Sequence, residues 1–254
     1  MRDTTAKKSL GQHFLRDGAA IRRIAGAIPE GARVLEIGPG PGAITEALLA
    51  RAGHLTVIEK DDRYAAQWRE RAEGNERLSV VHGDVMQALP QAVEQERPEW
   101  IAGNLPYNIS GPLTAMLAGM PLSGGMVLMY QREVGERLIA EPGTKIYGTL
   151  SVLVRHYYRP SRLLALPPGA FSPPPKVHSL VVLLTPHGMT PPCAFEDLRA
   201  AVRQGFAHRR KTIANNFRGL LDADAFAAIG IDADTRPERL DHAAWARIAV
   251  AIKA

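Results

Sequence analysis

The tetrapeptide Asn104-Leu105-Pro106-Tyr107 carries the groups needed to hold a flat base bearing an amine. An amide oxygen and a backbone carbonyl can accept hydrogen bonds from an exocyclic NH2, and a tyrosine face can stack on the ring. The run before it, Trp100-Ile101-Ala102-Gly103, reads as a buried strand. The tetrapeptide then falls at a strand's carboxyl end, where open α/β sheets place their ligands. Taken alone, the same four residues also describe an Asn/Pro turn with a core tyrosine.

A second constellation lies upstream. Gly38-Pro39-Gly40-Pro41-Gly42 follows the apolar run Val34 to Ile37 and opens a helix-period segment. Glycines are needed where a ligand approaches the backbone closely, and strand, glycine loop, helix is the setting of a nucleotide-type cofactor. Glu59 ends the next strand 21 positions after Gly38, placed to accept from both ribose hydroxyls, and Asp84 ends the third, placed to accept from an adenine amine. Their neighbours Lys60 and Val85 are assigned to the same wall, and Glu36 is placed to hold an ammonium group through water. A dinucleotide and S-adenosylmethionine both suit these residues. A dinucleotide needs its pyrophosphate on a helix amino terminus, whereas S-adenosylmethionine presents a sulfonium and an amino-acid tail. Transfer of a methyl to a base amine has a use for the tetrapeptide; hydride transfer has none.

Strand candidates at Val34 to Ile37, Leu55 to Ile58, Leu78 to Val81, Trp100 to Ala102 and Met126 to Met129 alternate with helix-period segments, which predicts an α/β fold on a parallel sheet. Leu150 to Tyr158 and Val177 to Leu184 are two further candidates, expected as a long hairpin on one side. The Pro-rich stretch after Thr185 reads as a linker into an Ala-, Arg- and Asp-rich helical segment, so two domains are expected, residues 1–185 and a small all-helical one at 193–254. The formal charge of +5 favours an anionic partner such as nucleic acid. The lone Cys193 rules out an internal disulfide and a cysteine zinc site, and no metal constellation is evident. With no stretch that reads as a membrane span or signal peptide, a cytoplasmic protein is expected, with no membrane partner.

With these residues assembled, the chain resembles the small-subunit ribosomal RNA adenine dimethyltransferases, the kasugamycin-sensitivity family. The resemblance runs through Gly11-Gln12-His13-Phe14-Leu15, Glu36-Ile37-Gly38-Pro39-Gly40, Val57-Ile58-Glu59, Gly83-Asp84, Asn104 to Ser110, Tyr147 to Val152, Phe171 to Val177 and Arg209-Arg210-Lys211-Thr212. It implies a Rossmann-like class I methyltransferase sheet that uses S-adenosylmethionine. Gln12, His13, Leu15, Gly38, Gly40, Gly42, Glu59, Asp84 and Asn104 are then the expected cofactor contacts, although many members carry asparagine at position 13. It further implies N6,N6-dimethylation of two adjacent adenosines in the 3′-terminal hairpin of 16S rRNA, on the immature small subunit, by a monomer. Asn104, Leu105, Pro106 and Tyr107 would hold the base, with Phe171 on its opposite face. Lys7, Lys8, Lys145, Arg209, Arg210 and Lys211 would grip the RNA, the last three within the helical domain. The large-subunit rRNA adenine methyltransferases share the fold and the tetrapeptide type, but the Gly-Pro-Gly loop, Pro173-Pro174-Pro175-Lys176 and the Arg209 cluster resemble the small-subunit branch. Relatives acting only in assembly or transcription would not need the chemical motifs retained here.

Overall fold

The computed structural model describes residues 12–253. After β1 (Phe14–Leu15) and α1 (Gly18–Gly26), the chain alternates β2 (Arg33–Ile37), α2 (Thr45–Leu49), β3 (His54–Glu59), α3 (Asp62–Ala72), β4 (Leu78–His82), α4 (Val85–Glu96), β5 (Trp100–Asn104), α5 (Ser110–Leu117) and β6 (Gly125–Gln131). It continues through α6 (Arg132–Ile139), α7 (Thr149–Val154), β7 (Tyr158–Leu166), β8 (Phe171–Ser172) and β9 (Ser179–Pro186). The helices α8 (Phe195–Gly205), α9 (Ile213–Asn216), α10 (Ala223–Ala228) and α11 (His242–Ala251) complete it.

Seven strands form one sheet in the order β4-β3-β2-β5-β6-β9-β7. The pairs from β4 to β6 are parallel and β6 with β9 is antiparallel. Strands covered on both faces need apolar residues at consecutive positions, which is why β3, β5 and β6 are almost continuously buried. The chain leaves β2 toward β3 and β4, then returns to β2's other side as β5. That reversal opens a crevice at the carboxyl ends of these strands. Aspartates start five of the helices by accepting from free backbone amides: Asp17 for α1, Asp61 for α3, Asp84 for α4, Asp222 for α10 and Asp241 for α11.

Two expectations about elements need correction. Leu150 to Tyr158 is not one strand: Thr149–Val154 is α7, and β7 starts at Tyr158. The Ser151 hydroxyl oxygen accepts from the Gly148 amide (3.0 Å) and caps the helix, while Ser151 to Val154 are all buried. Burial all round erases the period that separates a short helix from a strand. The hairpin partner β9 begins at Ser179, and the segment before it is an exposed Pro-rich loop with Pro175 tucked inside.

Residue contacts divide the chain into two units. One comprises the chain up to Leu113, Leu122–Gly135 and Ser161–Thr185; the other comprises Thr114–Pro121, Glu136–Pro160 and Pro186 onward. A division into 1–185 and 193–254 therefore leaves out segments 114–121 and 136–160, which pack with the C-terminal helices. Within that second unit, α7 packs on α8, and α8 on α11. Its buried side chains include Tyr147, His156, Phe217 and Trp245.

Candidate functional site

Four strand ends of the first unit line one pocket, which takes Gly38 and Gly40 after β2, Glu59 and Lys60 after β3, Gly83 to Val85 after β4, and Asn104 to Ile109 after β5. Gln12, His13 and Phe14 close it from the amino-terminal side.

The cofactor-type end is held mainly by backbone groups. Gly40 has φ +52°, and its amide donates to Glu59 Oε2 (2.9 Å) while the Asp61 amide donates to Oε1 (2.8 Å). Burial raises the Glu59 pKa, opposed by these backbone donors. The Gly40 carbonyl accepts from the Trp68 indole N–H (2.9 Å), so α3 pins the loop from below. Gly42 (φ +102°) lies off the pocket, where an added Cβ would stand 2.6 Å from the Trp68 ring. The Trp68 ring fills the space that a side chain at this position would need. Asp84 accepts from the Met86 amide (2.9 Å) and from Lys60 Nζ (2.7 Å); the lysine first, then the amide, holds its carboxyl below the usual range.

The tetrapeptide end is held by side chains and loops. Asn104 Nδ2 donates to the His13 carbonyl (2.8 Å), which leaves the amide oxygen as the acceptor. The Leu105 amide donates to the Met129 carbonyl of β6 (3.2 Å). The Tyr107 hydroxyl shares a 2.8 Å hydrogen bond with Ser179 Oγ, and burial pushes its phenol pKa up. The His13 ring stacks on Tyr107 at 5.8 Å between centroids and 27° between planes, and its Nδ1–H donates to the Pro173 carbonyl (2.8 Å).

Besides Gly42, three expected site residues lie off the pocket. Phe171 is 4% exposed and sits in the core, paired with Leu15 across β8 and β1, so neither side chain lines the pocket. Phe171 therefore packs in the core in this structure. Glu36 is 2% exposed within β2, behind the pocket wall; burial first, then the Glu59 and Glu46 charges, drive its pKa up to about 8 against the pull of Thr45. Its Oε2 has no hydrogen-bond partner. Lys7 and Lys8 lie outside the described residues. In the second unit, Arg209 Nη2 donates to the Lys145 carbonyl (2.6 Å), which brings two expected RNA contacts together, and Arg210 and Lys211 stand exposed beside them.

Residues the sequence reading did not single out are Phe14, Ile37 and Ile58 on the wall, Trp68 beneath the loop and Ser179 behind Tyr107. Ile37 and Ile58 could have been found as the last apolar residues of two strands. Trp68 and Ser179 carry no local signal.

The family model described as "Ribosomal RNA adenine dimethylase" matches residues 3–254. A "Ribosomal RNA small subunit methyltransferase A" of Xanthomonas campestris is 43% identical over 249 residues, covering 96% of this chain and 95% of that protein. The protein of the same name in Pseudomonas aeruginosa is 42% identical over 250 residues, covering 96% and 93%. Among solved structures, a dimethyladenosine transferase from Plasmodium falciparum aligns with TM-score 0.79 and 26% identity, covering 93% of this chain and 96% of that one. The 23S rRNA methyltransferase ErmE shares the fold with TM-score 0.69 at 24% identity, over 95% of this chain and 100% of its own.

Proposed function

Because the chain belongs to the ribosomal RNA adenine dimethylase family, we propose that it transfers methyl groups from S-adenosylmethionine to the N6 amines of two adjacent adenosines in the 3′-terminal hairpin of 16S rRNA. It acts as a monomer on the immature small ribosomal subunit, in the cytoplasm. The observation that carries the reading is the orientation of Asn104: its NH2 is occupied by the His13 carbonyl, so its oxygen is the acceptor in a pocket that also contains Tyr107.

The pocket suits S-adenosylmethionine better than a dinucleotide. Gly38 has φ +67° with nothing within 4 Å of where a Cβ would stand, a cradle that a side chain would fill. Two carboxylates, Glu59 and Asp84, face the same space, and Lys60 is tied to Asp84 and so is poorly placed for a pyrophosphate. Glu59 is placed for the ribose hydroxyls, Asp84 with Val85 for the adenine edge, and Gln12, His13 and the glycine loop for the amino-acid end. When bound, the cofactor supplies an electrophilic methyl on a sulfonium.

The chain's task is then to present the amine. The N6 lone pair is delocalised into the ring, which makes the amine a poor nucleophile. Asn104 Oδ1 and the Leu105 carbonyl accept its two hydrogens, orient the lone pair and stabilise the positive charge that develops on nitrogen. Tyr107 stacks on the extruded base, a contact worth about 1–3 kcal/mol in single-strand binding. Lys145, Arg209, Arg210 and Lys211 hold phosphates, together with Lys7 and Lys8.

Incubation with methyl-labelled S-adenosylmethionine and either immature small subunits or protein-free large-subunit RNA, followed by mapping of the modified nucleotides, tests the reading. Label on two adjacent adenosines of 16S rRNA is expected. Label confined to large-subunit RNA would move the protein to the other rRNA branch, and absence of label from both would leave a non-catalytic assembly role.

A further inference from the structure

We propose that Lys176, on the crest of the Pro-rich loop between β8 and β9, binds a backbone phosphate of the RNA strand that carries the target adenosine. This deepens the assignment of the pocket to an RNA adenine and rests on it.

A base extruded into a pocket stays joined to its strand through a phosphate on either side of its sugar, and both phosphates remain at the mouth. The lining has no lysine or arginine to spare for them. It carries two carboxylates, Glu59 and Asp84, and among the described residues its one lysine or arginine is Lys60. The Lys60 ammonium stands 2.7 Å from Asp84 Oδ2 and is neutralised by it. A cation that meets the strand at this mouth must therefore come from outside the lining.

The Pro-rich loop supplies one. It is fastened to the pocket at both ends: the Pro173 carbonyl accepts from the His13 ring (2.8 Å), and Ser179, which opens β9, shares a 2.8 Å hydrogen bond with the Tyr107 hydroxyl. His13 and Tyr107 both line the pocket. Lys176 lies three residues from each fastening, and three residues of fully extended chain span at most about 10 Å. Its backbone is thus held close to both. Pro175 is buried and roots the loop, while Lys176, Val177 and His178 stand exposed. The His178 carbonyl accepts from the Arg132 amide at the start of α6 (2.9 Å), which ties the crest to the body of the same unit. Unlike Lys60, Lys176 has no ion pair or side-chain hydrogen bond among the described residues. Its ammonium is a compact charge on a flexible stem, free to meet a phosphate oxygen.

The test measures single-turnover methylation of immature small subunits, with methyl-labelled S-adenosylmethionine, against subunit concentration at several salt concentrations. Lys176→Gln is expected to raise the half-saturating subunit concentration about fivefold at moderate salt and to lower the log–log salt slope by about 1. The maximal rate, and cofactor affinity by calorimetry, are expected to stay within about threefold, and Lys176→Arg to stay within about twofold of the natural protein in every readout. On subunits whose two phosphates flanking the target adenosine are neutral methylphosphonates, the natural protein and Lys176→Gln are expected to behave alike, because the lysine then has no charge to meet. Half-saturation and slope unchanged in Lys176→Gln would overturn the proposal. So would a difference that persists on the neutralised strand, which would place the contact elsewhere on the RNA. A loss of cofactor affinity of more than about tenfold would overturn it by making the lysine a cofactor contact. Absence of transfer by the natural protein itself would instead overturn the underlying reading, and the proposal with it.

Discussion

The two ends of the pocket are built in different ways. At the glycine-loop end, Glu59 receives backbone amides from Gly40 and Asp61, and Asp84 caps its own helix two residues on. At the tetrapeptide end, Asn104 depends on a carbonyl 91 residues away, Tyr107 on a hydroxyl 72 residues away and His13 on a carbonyl 160 residues away. Local backbone contacts make a rigid cradle whose shape follows from a short stretch of chain. The long-range contacts make a slot whose geometry exists only once β1, β5, β9 and the Pro-rich loop have assembled. Holding a cofactor and presenting a base are thereby separable, and substitutions can break one without the other.

The largest effect is expected from the rigid end. Gly40→Val places a β-branched residue at φ +52°, with its Cβ 3.1 Å from the Phe14 ring, so S-adenosylmethionine binding should fall below detection by calorimetry. Tight binding by this variant would refute the placement of the cofactor.

A smaller effect, on stability, is expected from Glu36. Its carboxyl titrates near 8 in the fold against 4.5 as the ordinary value, so the folded state keeps its proton where the unfolded chain has lost it. Stability from this group is complete below pH 4.5 and is lost as pH rises through 8. Glu36→Gln removes the titration. Denaturant unfolding at pH 5 and pH 9 should show the variant gaining on the natural protein by on the order of 3 kcal/mol at the higher pH. A difference that does not change with pH would mean that the buried carboxyl ionises freely.

Effects of about tenfold are expected in two further places. Ser179→Ala frees the Tyr107 hydroxyl and should slow single-turnover methylation by about that factor with cofactor affinity unchanged, which would sharpen the separation between the ends. Replacing Arg209, Arg210 and Lys211 together by Gln should weaken RNA binding about tenfold at moderate salt and lower the log–log salt slope by about 2, again without touching cofactor affinity. An unchanged slope would count against that surface as a phosphate grip.

The same contrast explains what could be read from the chain alone. Glu59 and Asp84 were legible because strand, glycine loop and capping residue lie close together in sequence, and Asn104 because its tetrapeptide directly follows its strand. The core position of Phe171 was not legible because an aromatic beside a Pro-rich loop looks the same whether it faces a ligand or a core, and its pairing with Leu15 leaves no local pattern. Ser179 and Pro173 were invisible as partners of Tyr107 and His13 because neither contact leaves a local pattern. The run from Leu150 was misread for the opposite reason. Its apolar residues are buried all round, so the pattern that tells helix from strand is absent. That segment 136–160 groups with the C-terminal helices was not legible, because it joins them through α7, a contact between residues far apart in the chain.

The most direct measurement is the effect of Asn104→Ala on cofactor affinity and on single-turnover methyl transfer, read side by side on the same preparation. The account predicts that S-adenosylmethionine still binds, within about tenfold of the natural protein, while transfer to the adenine amine falls by about a thousandfold or more. Transfer at a near-natural rate would contradict it, because the amide would then not be what presents the amine.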